Sequence, residues 1–263
     1  MSEAAASTGK VMLVGAGPGD PGLLTLKAMR AIETADVVVY DRLISPEIID
    51  LIPPSTSRVS VGKRAGHHPV PQAEICRLLV SLAHCHRLVV RLKGGDPFIF
   101  ARGCEEAMAL ERAGIRYEVI PGITAAQGCA AAARIPLTHR GLATGLRYVT
   151  GHCREDEPLA LDWAGLADTD TTLVVYMGLA NIDEIARKLI AHGLPGDTPA
   201  LAVCHGTTKR EQRLRAPLAR LAAMVRAAAF TGPVLFIIGR VVDVAAYQMG
   251  KDHATADRTV VDA

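Results

Sequence analysis

The chain of 263 residues is long enough for one large domain or two small ones, and 49% of it is hydrophobic against 21% charged. This composition excludes wholesale disorder and predicts a sizeable core. The net charge of +2 gives no overall attraction for polyanions. Nucleic acid is therefore not an expected partner, and an anionic ligand would need a local basic cluster.

The cysteines and the apolar segments indicate the cellular compartment and whether the chain enters a membrane. The six cysteines are scattered without a CxxC pair, and the N-terminus lacks the apolar core of a signal peptide. The most apolar segment, residues 221–238, is interrupted by an arginine, a glycine and a proline, so no membrane helix is expected. A metal site is not expected either, because the neighbouring side chains of His84-Cys85-His86 do not converge readily. We expect a soluble cytoplasmic protein with reduced thiols.

Short apolar runs alternate with amphipathic segments through the first half of the chain. The apolar runs predict buried strands at residues 11–14, 37–40, 58–61, 88–92 and 117–120. Apolar side chains at three- and four-residue spacing predict helices at residues 23–35, 72–83 and 105–113. This βαβ rhythm indicates a mostly parallel sheet that is covered by helices.

Each predicted strand of the first half ends in a polar or glycine-rich loop. In chain order these loops read GAGPGD, DRLIS, GKRAGHH, KGGDPF and PGIT. Ligands of parallel sheets gather at the carboxyl ends of the strands, which share one edge. The five loops are therefore expected to converge, and that convergence is stronger evidence for a site than any single loop.

The rhythm changes after Pro121-Gly122. A small-residue helix in ITAAQGCAAAARIP is followed by predicted strands at residues 147–150, 172–176, 200–204, 212–216 and 234–238, with helices at 182–190 and 218–228. The segment AVCHGTTKREQRLRAPL is typical of two antiparallel strands joined by a polar turn. We predict two α/β domains, residues 10–121 with a mostly parallel sheet and residues 122–245 with a mixed sheet, between polar tails.

The first loop permits a test of nucleotide binding. Counted from Gly15, the glycine positions of the dinucleotide fingerprint hold Gly15, Gly17 and Asp20, so the third glycine is missing. Pro18 lacks the amide donor that a phosphate-binding loop uses, and the Walker pattern is absent. Asp41 nevertheless follows the second strand, where a ribose-binding acid would lie. A ligand with adenosine and an amino acid but no phosphate fits better, because glycines let the main chain approach closely.

Several segments taken together resemble one known family. This chain resembles the tetrapyrrole (corrin/porphyrin) methylases over roughly residues 10–245. The segments that carry the resemblance follow one another in the family's order and read VGAGPGDPGLLTLKA, VVYDRLIS, GKRAGHHPVPQAEI, RLKGGDPFIFARGCEE, VIPGITAA, IPLTHRG, VTGH, VVYMGL and GPVLFIIGRVV. The resemblance implies two α/β domains with the active site in the cleft between them, S-adenosyl-L-methionine as methyl donor, S-adenosyl-L-homocysteine as product, and a homodimer. GKRAGHHPVPQ and LKGGDPFIFARG favour the members that methylate uroporphyrinogen III twice, at C-2 and C-7, through precorrin-1 to precorrin-2, for sirohaem or cobalamin.

The resemblance also implies the residues of the site. The cofactor-binding positions are Pro18, Gly94, Gly95, Asp96, Ile99, Thr124, Ala125, Met177 and Gly206. Asp41 occupies the position of the proton acceptor and Lys63 that of the proton donor. Without the motif match, Asp41 would be a turn or helix-cap residue and Lys63 a surface lysine. The substrate is rich in carboxylates, and the candidates for binding them are Arg42, Arg64, His67, Lys93 and Arg102.

The sequence leaves three different functions open. One is that of another methylase of the corrin pathway, which would act on a precorrin at a different carbon. An NAD(P)-dependent oxidoreductase is the second, and a sensor that binds an adenosyl ligand without turnover is the third. Since the methylase motifs begin within ten residues of Met1, the resemblance implies the methyltransferase activity without an added dehydrogenase or chelatase domain.

Overall fold

The computed structural model describes residues 8–62, 70–152 and 159–244. The chain divides into two compact units, and the division falls after Gly128. This position lies inside a helix, a few residues beyond the predicted boundary at residue 121. Each unit has its own sheet and its own core, and each is described by itself.

The first unit is built on a five-stranded sheet in which every pair of neighbouring strands is parallel. Its strands are β1 (Lys10–Gly15), β2 (Val37–Tyr40), β3 (Ser57–Ser60), β4 (Leu88–Lys93) and β5 (Arg116–Ile120). Their order in the sheet is β3-β2-β4-β1-β5. The helices are α1 (Leu26–Thr34), α2 (Pro46–Ile49), α3 (Gln72–Cys85), α4 (Gly103–Arg112) and α5 (Ala125–Ala132), which crosses the division. The predicted parallel sheet is confirmed.

The two faces of this sheet carry separate apolar cores. Because side chains alternate along a strand, Val90 and Leu92 of β4 pack in the core that contains residues of α1 and α2. Val89 packs on the opposite face with Leu79 of α3 and Leu110 of α4. Both faces are thus covered by helices, as the continuous apolar runs of the strands indicate.

The first long helix begins later than the periodicity predicts. A helix was expected over residues 23–35, whereas α1 starts at Leu26 because Thr25 caps it. The side-chain oxygen of Thr25 accepts a hydrogen bond from Ala28 N–H over 3.0 Å. The residues before it, Pro21–Leu23, form a separate 3-10 turn.

The second unit contains a mixed five-stranded sheet. Its strands are β6 (Gly145–Thr150), β7 (Thr171–Tyr176), β8 (Pro199–Cys204), β9 (Gln212–Pro217) and β10 (Val234–Ile238), in the order β6-β7-β10-β8-β9. Its further helices are α6 (Trp163–Leu166), α7 (Ile182–Ala191) and α8 (Leu218–Ala228). β6 and β7 are parallel, and the remaining pairs are antiparallel. The predicted antiparallel pair, β8 with β9, is therefore confirmed, as is the fold class of two α/β domains.

Candidate active site

The loops after β1, β4 and β5 meet at one edge of the first sheet. β1 lies between β4 and β5, and all three run parallel, so their carboxyl ends point the same way. Gly17 and Gly95 exchange two main-chain hydrogen bonds across this edge. Gly95 N–H donates to Gly17 O over 2.7 Å, and Gly17 N–H donates to Gly95 O over 3.2 Å. The predicted convergence is confirmed for these loops.

Main-chain atoms of these loops approach too closely to admit side chains. A Cβ atom on Gly15 would stand 2.5 Å from Gly122 N, and one on Gly122 would stand 2.2 Å from Gly95 O. Gly95 itself has a φ of +69°, and the direction of its missing side chain is open, with Ala125 N at 3.9 Å. This edge therefore offers main-chain groups at close range, which suits a ligand that is bound by the backbone.

Asp96 joins two of the loops at this edge. Its Oδ1 accepts a hydrogen bond from Phe98 N–H over 2.8 Å, and its Oδ2 accepts one from Gly122 N–H over 3.1 Å. Each carboxylate oxygen keeps a further lone pair, so a ligand can still bind here. The predicted ligand contact of Asp96 stays a prediction, and the structure adds a role in holding the loops together.

Thr124 and Gln127 form a capping box at the start of α5. Gln127 N–H donates to Thr124 Oγ1, and Thr124 N–H donates to Gln127 Oε1, each over 3.2 Å. The cap places the predicted contacts Thr124 and Ala125 at the first turn of α5, beside Gly95. Thr124 is 8% exposed and Ala125 is half-buried, so Ala125 presents more of its surface.

The other predicted contacts of the first unit flank this edge. Pro18 lies in the loop after β1 and Ile99 in the loop after β4, and both are half-buried. Gly94 packs against the loop after β2, because a Cβ atom there would stand 3.0 Å from Leu43 Cβ. Phe98 is 52% exposed in the same β4 loop. Apolar side chains therefore lie next to the main-chain edge.

Met177 follows the last residue of β7, at one edge of the mixed sheet. β7 and β8 are both antiparallel to β10, so their carboxyl ends share this edge. Met177 is 51% exposed, and its φ is +53°. Core packing does not explain an exposed methionine in a left-handed backbone conformation, and such strain is typical of functional sites.

Gly206 lies at the same edge of the mixed sheet, in the loop after β8. Its neighbours His205 and Thr207 have φ values of +51° and +62°. A Cβ atom on Gly206 would stand 2.2 Å from the Sγ of Cys129. The predicted contacts of the second unit thus both lie in strained loops at the carboxyl ends of strands.

A buried cluster of charges lies at the carboxyl ends of β2 and β4. Glu106 of α4 is fully buried, and its Oε1 accepts hydrogen bonds from Arg91 Nε over 3.1 Å and Lys93 Nζ over 3.0 Å. Nη2 of Arg91 stands 3.6 Å from Oδ2 of Asp41, the predicted proton acceptor, whose side chain is 25% exposed. Burial, followed by the charge of Arg91, lowers the pKa of Lys93 even though Glu106 acts to raise it.

The predicted substrate-binding cations have different environments. Lys93 is 3% exposed and pairs with Glu106, whereas Arg42 is exposed in the loop after β2. The exposed Arg102 donates two hydrogen bonds to Glu105, over 2.7 and 2.8 Å. These hydrogen bonds raise the pKa of Arg102 and lower that of Glu105. Outside the described residues lie three predicted site residues, Lys63, Arg64 and His67.

Sequence reasoning missed Glu106. The buried positions of α4 are Gly103, Glu106, Ala107 and Leu110, which puts an acid in the apolar stripe of the helix. Acidic residues are almost never fully buried unless they are paired. That stripe, together with basic residues in a buried strand, was the available signal for an internal ion pair.

The described residues were also searched for membrane-spanning helices, metal ligands and disulfides. No helix among these residues has the length and apolar character needed to cross a membrane. Within the same residues, no group of three or more His, Cys, Asp and Glu side chains could hold a metal ion. The five cysteines described are free thiols, and Cys129 and Cys204 are the buried ones.

Comparisons with known proteins agree on one family. The family model described as Tetrapyrrole (Corrin/Porphyrin) Methylases matches residues 10–222. The uroporphyrinogen-III C-methyltransferase of Paracoccus denitrificans is 58% identical over 236 residues, which cover 90% of this chain and 82% of that protein. The siroheme synthase of Tolumonas auensis is 51% identical over 235 residues, 89% of this chain, and the chain spans about half of it (49%).

A solved structure agrees with these sequence relatives. The uroporphyrin-III C-methyl transferase from Thermus thermophilus, complexed with S-adenyl homocysteine, is 42% identical with a TM-score of 0.77. The match covers 90% of this chain and 94% of that chain. Fold and sequence therefore lead to the same set of relatives.

Proposed function

The chain belongs to the tetrapyrrole (corrin/porphyrin) methylases, and from this premise we propose that it methylates uroporphyrinogen III twice, at C-2 and C-7, to give precorrin-2. S-adenosylmethionine is the methyl donor. One observation carries the proposal: a relative named for this activity is 58% identical over 236 residues, which cover 90% of this chain. The edge of the first sheet supplies a site of matching character.

The loops at that edge fit S-adenosylmethionine, which supplies an electrophilic methyl group when it is bound. The ligand contains an adenosyl and an amino-acid part but no phosphate. Gly15, Gly95 and Gly122 bring main-chain groups to close range, and the open side of Gly95 leaves room for ligand atoms. A relative that was solved with S-adenyl homocysteine supports this choice. The residues assigned to cofactor binding are Pro18, Gly94, Gly95, Asp96, Ile99, Thr124, Ala125, Met177 and Gly206.

Asp41 is the proposed proton acceptor. Once a ring carbon has gained a methyl group, the macrocycle must lose a proton, and a carboxylate within hydrogen-bond reach can take it. Asp41 directly follows β2, and 25% of its side chain is exposed, so it is accessible to a ligand at this edge. Transfer of a methyl group from a sulfonium depends more on the alignment of the donor and the acceptor carbon than on acid–base strength. Lys63 is the proposed proton donor.

Arginines are the preferred partners for the carboxylates of the substrate, since a guanidinium can bind them in a bidentate manner. Arg42 and Arg102 are exposed in the loops after β2 and β4. Lys93 would have to leave Glu106 to reach a substrate, so it ranks below these two arginines. Arg64 and His67 complete the proposed set on the strength of the family resemblance.

We propose further that the protein works in the cytoplasm as a homodimer and that its product feeds sirohaem or cobalamin synthesis. The siroheme synthases among its relatives support the first of these products. Size-exclusion chromatography with light scattering tests the assembly. A mass equal to that of a single 27.8 kDa chain would contradict the dimer.

The decisive experiment is anaerobic incubation with S-adenosylmethionine and uroporphyrinogen III, followed by mass spectrometry of the product. We expect a product that carries two added methyl groups. Turnover of a precorrin alone would indicate another methylase of the corrin pathway. Calorimetry distinguishes an oxidoreductase from a sensor. Binding of NADH without S-adenosylhomocysteine would indicate the oxidoreductase, and S-adenosylhomocysteine binding without any turnover would indicate the sensor.

A further inference from the structure

The two basic residues at the end of β4 are buried on the face that α3 and α4 cover. Side chains alternate along the strand, so Arg91 and Lys93 share the face of Val89. Only 4% of each basic side chain is exposed. Because buried charges are costly unless they are paired, these two cations require an acid.

Glu106 supplies that acid from α4. Its Oε1 accepts three hydrogen bonds, from Arg91 Nε over 3.1 Å, Lys93 Nζ over 3.0 Å and Gln72 Nε2 over 3.2 Å. Its Oε2 is buried and has no hydrogen-bond partner within the residues that the structure describes. A single carboxylate oxygen therefore anchors both cations.

Arg91 connects this anchor to Asp41. Its Nη1 donates a hydrogen bond to Leu92 O over 3.0 Å, and its Nη2 stands 3.6 Å from Asp41 Oδ2. The other carboxylate oxygen of Asp41, Oδ1, accepts a hydrogen bond from Leu43 N–H over 2.9 Å. One oxygen of Asp41 thus faces a fixed cation and the other a fixed donor, which restricts rotation of the carboxylate.

We propose that Arg91, anchored by Glu106, is a positioning residue that fixes the Asp41 carboxylate in the orientation from which it accepts the substrate's proton. The inference rests on the proposed function, which gives Asp41 that proton. Arg91 acts through Asp41, and Glu106 acts through Arg91. Orientation matters here because a misplacement of about 1 Å can slow a reaction about 100-fold.

Arg91→Lys tests the proposal while keeping the charge that Glu106 needs. A lysine ammonium is a single point charge, whereas the guanidinium fork spans Glu106 and Asp41. We expect kcat to fall about tenfold or more, while KM for uroporphyrinogen III and the Kd for S-adenosylhomocysteine stay within about twofold of wild type. Wild-type kcat, or a fall in kcat with an equal loss of S-adenosylhomocysteine affinity, would overturn the proposal.

Gln72→Leu is the matched control. Gln72 donates to the same Glu106 oxygen from α3, so its loss perturbs the cluster and leaves the two cations in place. We expect lower thermal stability with kcat within about twofold of wild type. A loss of kcat in Gln72→Leu equal to that in Arg91→Lys would show a general effect of disturbing the cluster, and would overturn the specific role of Arg91.

A double-mutant cycle with Asp41→Asn separates positioning from a merely structural role. If Arg91 acts through Asp41, Arg91→Lys changes the residual rate of Asp41→Asn by less than about twofold, measured with enzyme in excess over substrate. Equal losses in the two backgrounds would overturn the proposal. Where Asp41→Asn leaves no measurable turnover, the split between kcat and KM in the single Arg91→Lys variant decides.

Failure of the proposed function gives a different result. Wild-type protein that makes no methylated product from uroporphyrinogen III would refute the function, and the inference with it. Wild-type protein that makes the doubly methylated product, with full turnover in Asp41→Asn, would refute the inference alone, since Arg91 would then have no acceptor to position.

Discussion

A methyl group added at Gly95 tests the proposed cofactor edge. Gly95 has a φ of +69°, so Gly95→Ala should lower the free energy of unfolding by about 1 kcal/mol through backbone strain. The new Cβ atom meets only Ala125 N, at 3.9 Å, so no steric clash adds to this cost. The same Cβ enters the open space assigned to the ligand. The Kd for S-adenosylhomocysteine should therefore rise at least about tenfold, or about 1.4 kcal/mol.

Gly114 provides the matched control for this experiment. Its φ is +68°, and a Cβ atom there meets nothing within 4 Å, so Gly114→Ala carries the same strain in the turn between α4 and β5. Urea denaturation measures the free energy of unfolding, and titration calorimetry measures the Kd. Both variants should lose similar stability, and only Gly95→Ala should lose affinity. Wild-type affinity in Gly95→Ala, or equal losses in both variants, would refute the assignment of this edge to the cofactor.

Three further predictions concern stability and thiol reactivity. Thr25→Ala removes the cap of α1 and should cost about 1 kcal/mol of unfolding free energy in urea; an unchanged value would contradict the cap. Burial raises the pKa of Cys129 to about 12. At pH 8 only about one such thiol in ten thousand is ionised, so iodoacetamide should modify the exposed Cys85 and leave Cys129 unmodified, as measured by peptide mass spectrometry. Labelling of both cysteines would contradict the burial of Cys129. Hydrogen bonds from Lys10 and Lys27 lower the pKa of Glu118 below its ordinary value. The ionised Glu118 therefore stabilises the fold at pH 7, and this contribution is lost as the pH falls through the lowered pKa. Glu118→Gln should accordingly lower the free energy of unfolding at pH 7 and have little effect at low pH. A wild-type-minus-variant difference in unfolding free energy that stays constant down to pH 3 would contradict the lysine contacts.

The strands of the first sheet could be predicted from sequence because both of its faces are buried. Strands of that kind are continuous apolar runs, and the prediction at residues 88–92 differs from Leu88–Lys93 by one residue. The start of α1 could not be predicted by periodicity, since it depends on the cap at Thr25. The four-residue helices α2 and α6 were not predicted, because they are too short to show a helical period.

The convergence of the site's loops could be predicted from sequence, because it follows from the topology of the sheet. Loops after parallel strands share an edge, so the approach of Gly17 to Gly95 follows from the order of the strands. The internal ion pairs of Glu106 do not follow from that order. They join α4 to a strand 13 and 15 residues earlier in the chain, and local patterns do not show which side chains meet.

The close approach of Gly15, Gly95 and Gly122 has a consequence for experiments that map function by truncating side chains. Alanine scanning finds a binding residue by deleting atoms, but these positions contribute by having none to delete. Their backbone groups are chemically the same as those of any other residue. A mutational survey of this edge therefore has to add bulk, and it should find its most sensitive positions where the wild-type chain has the least side chain.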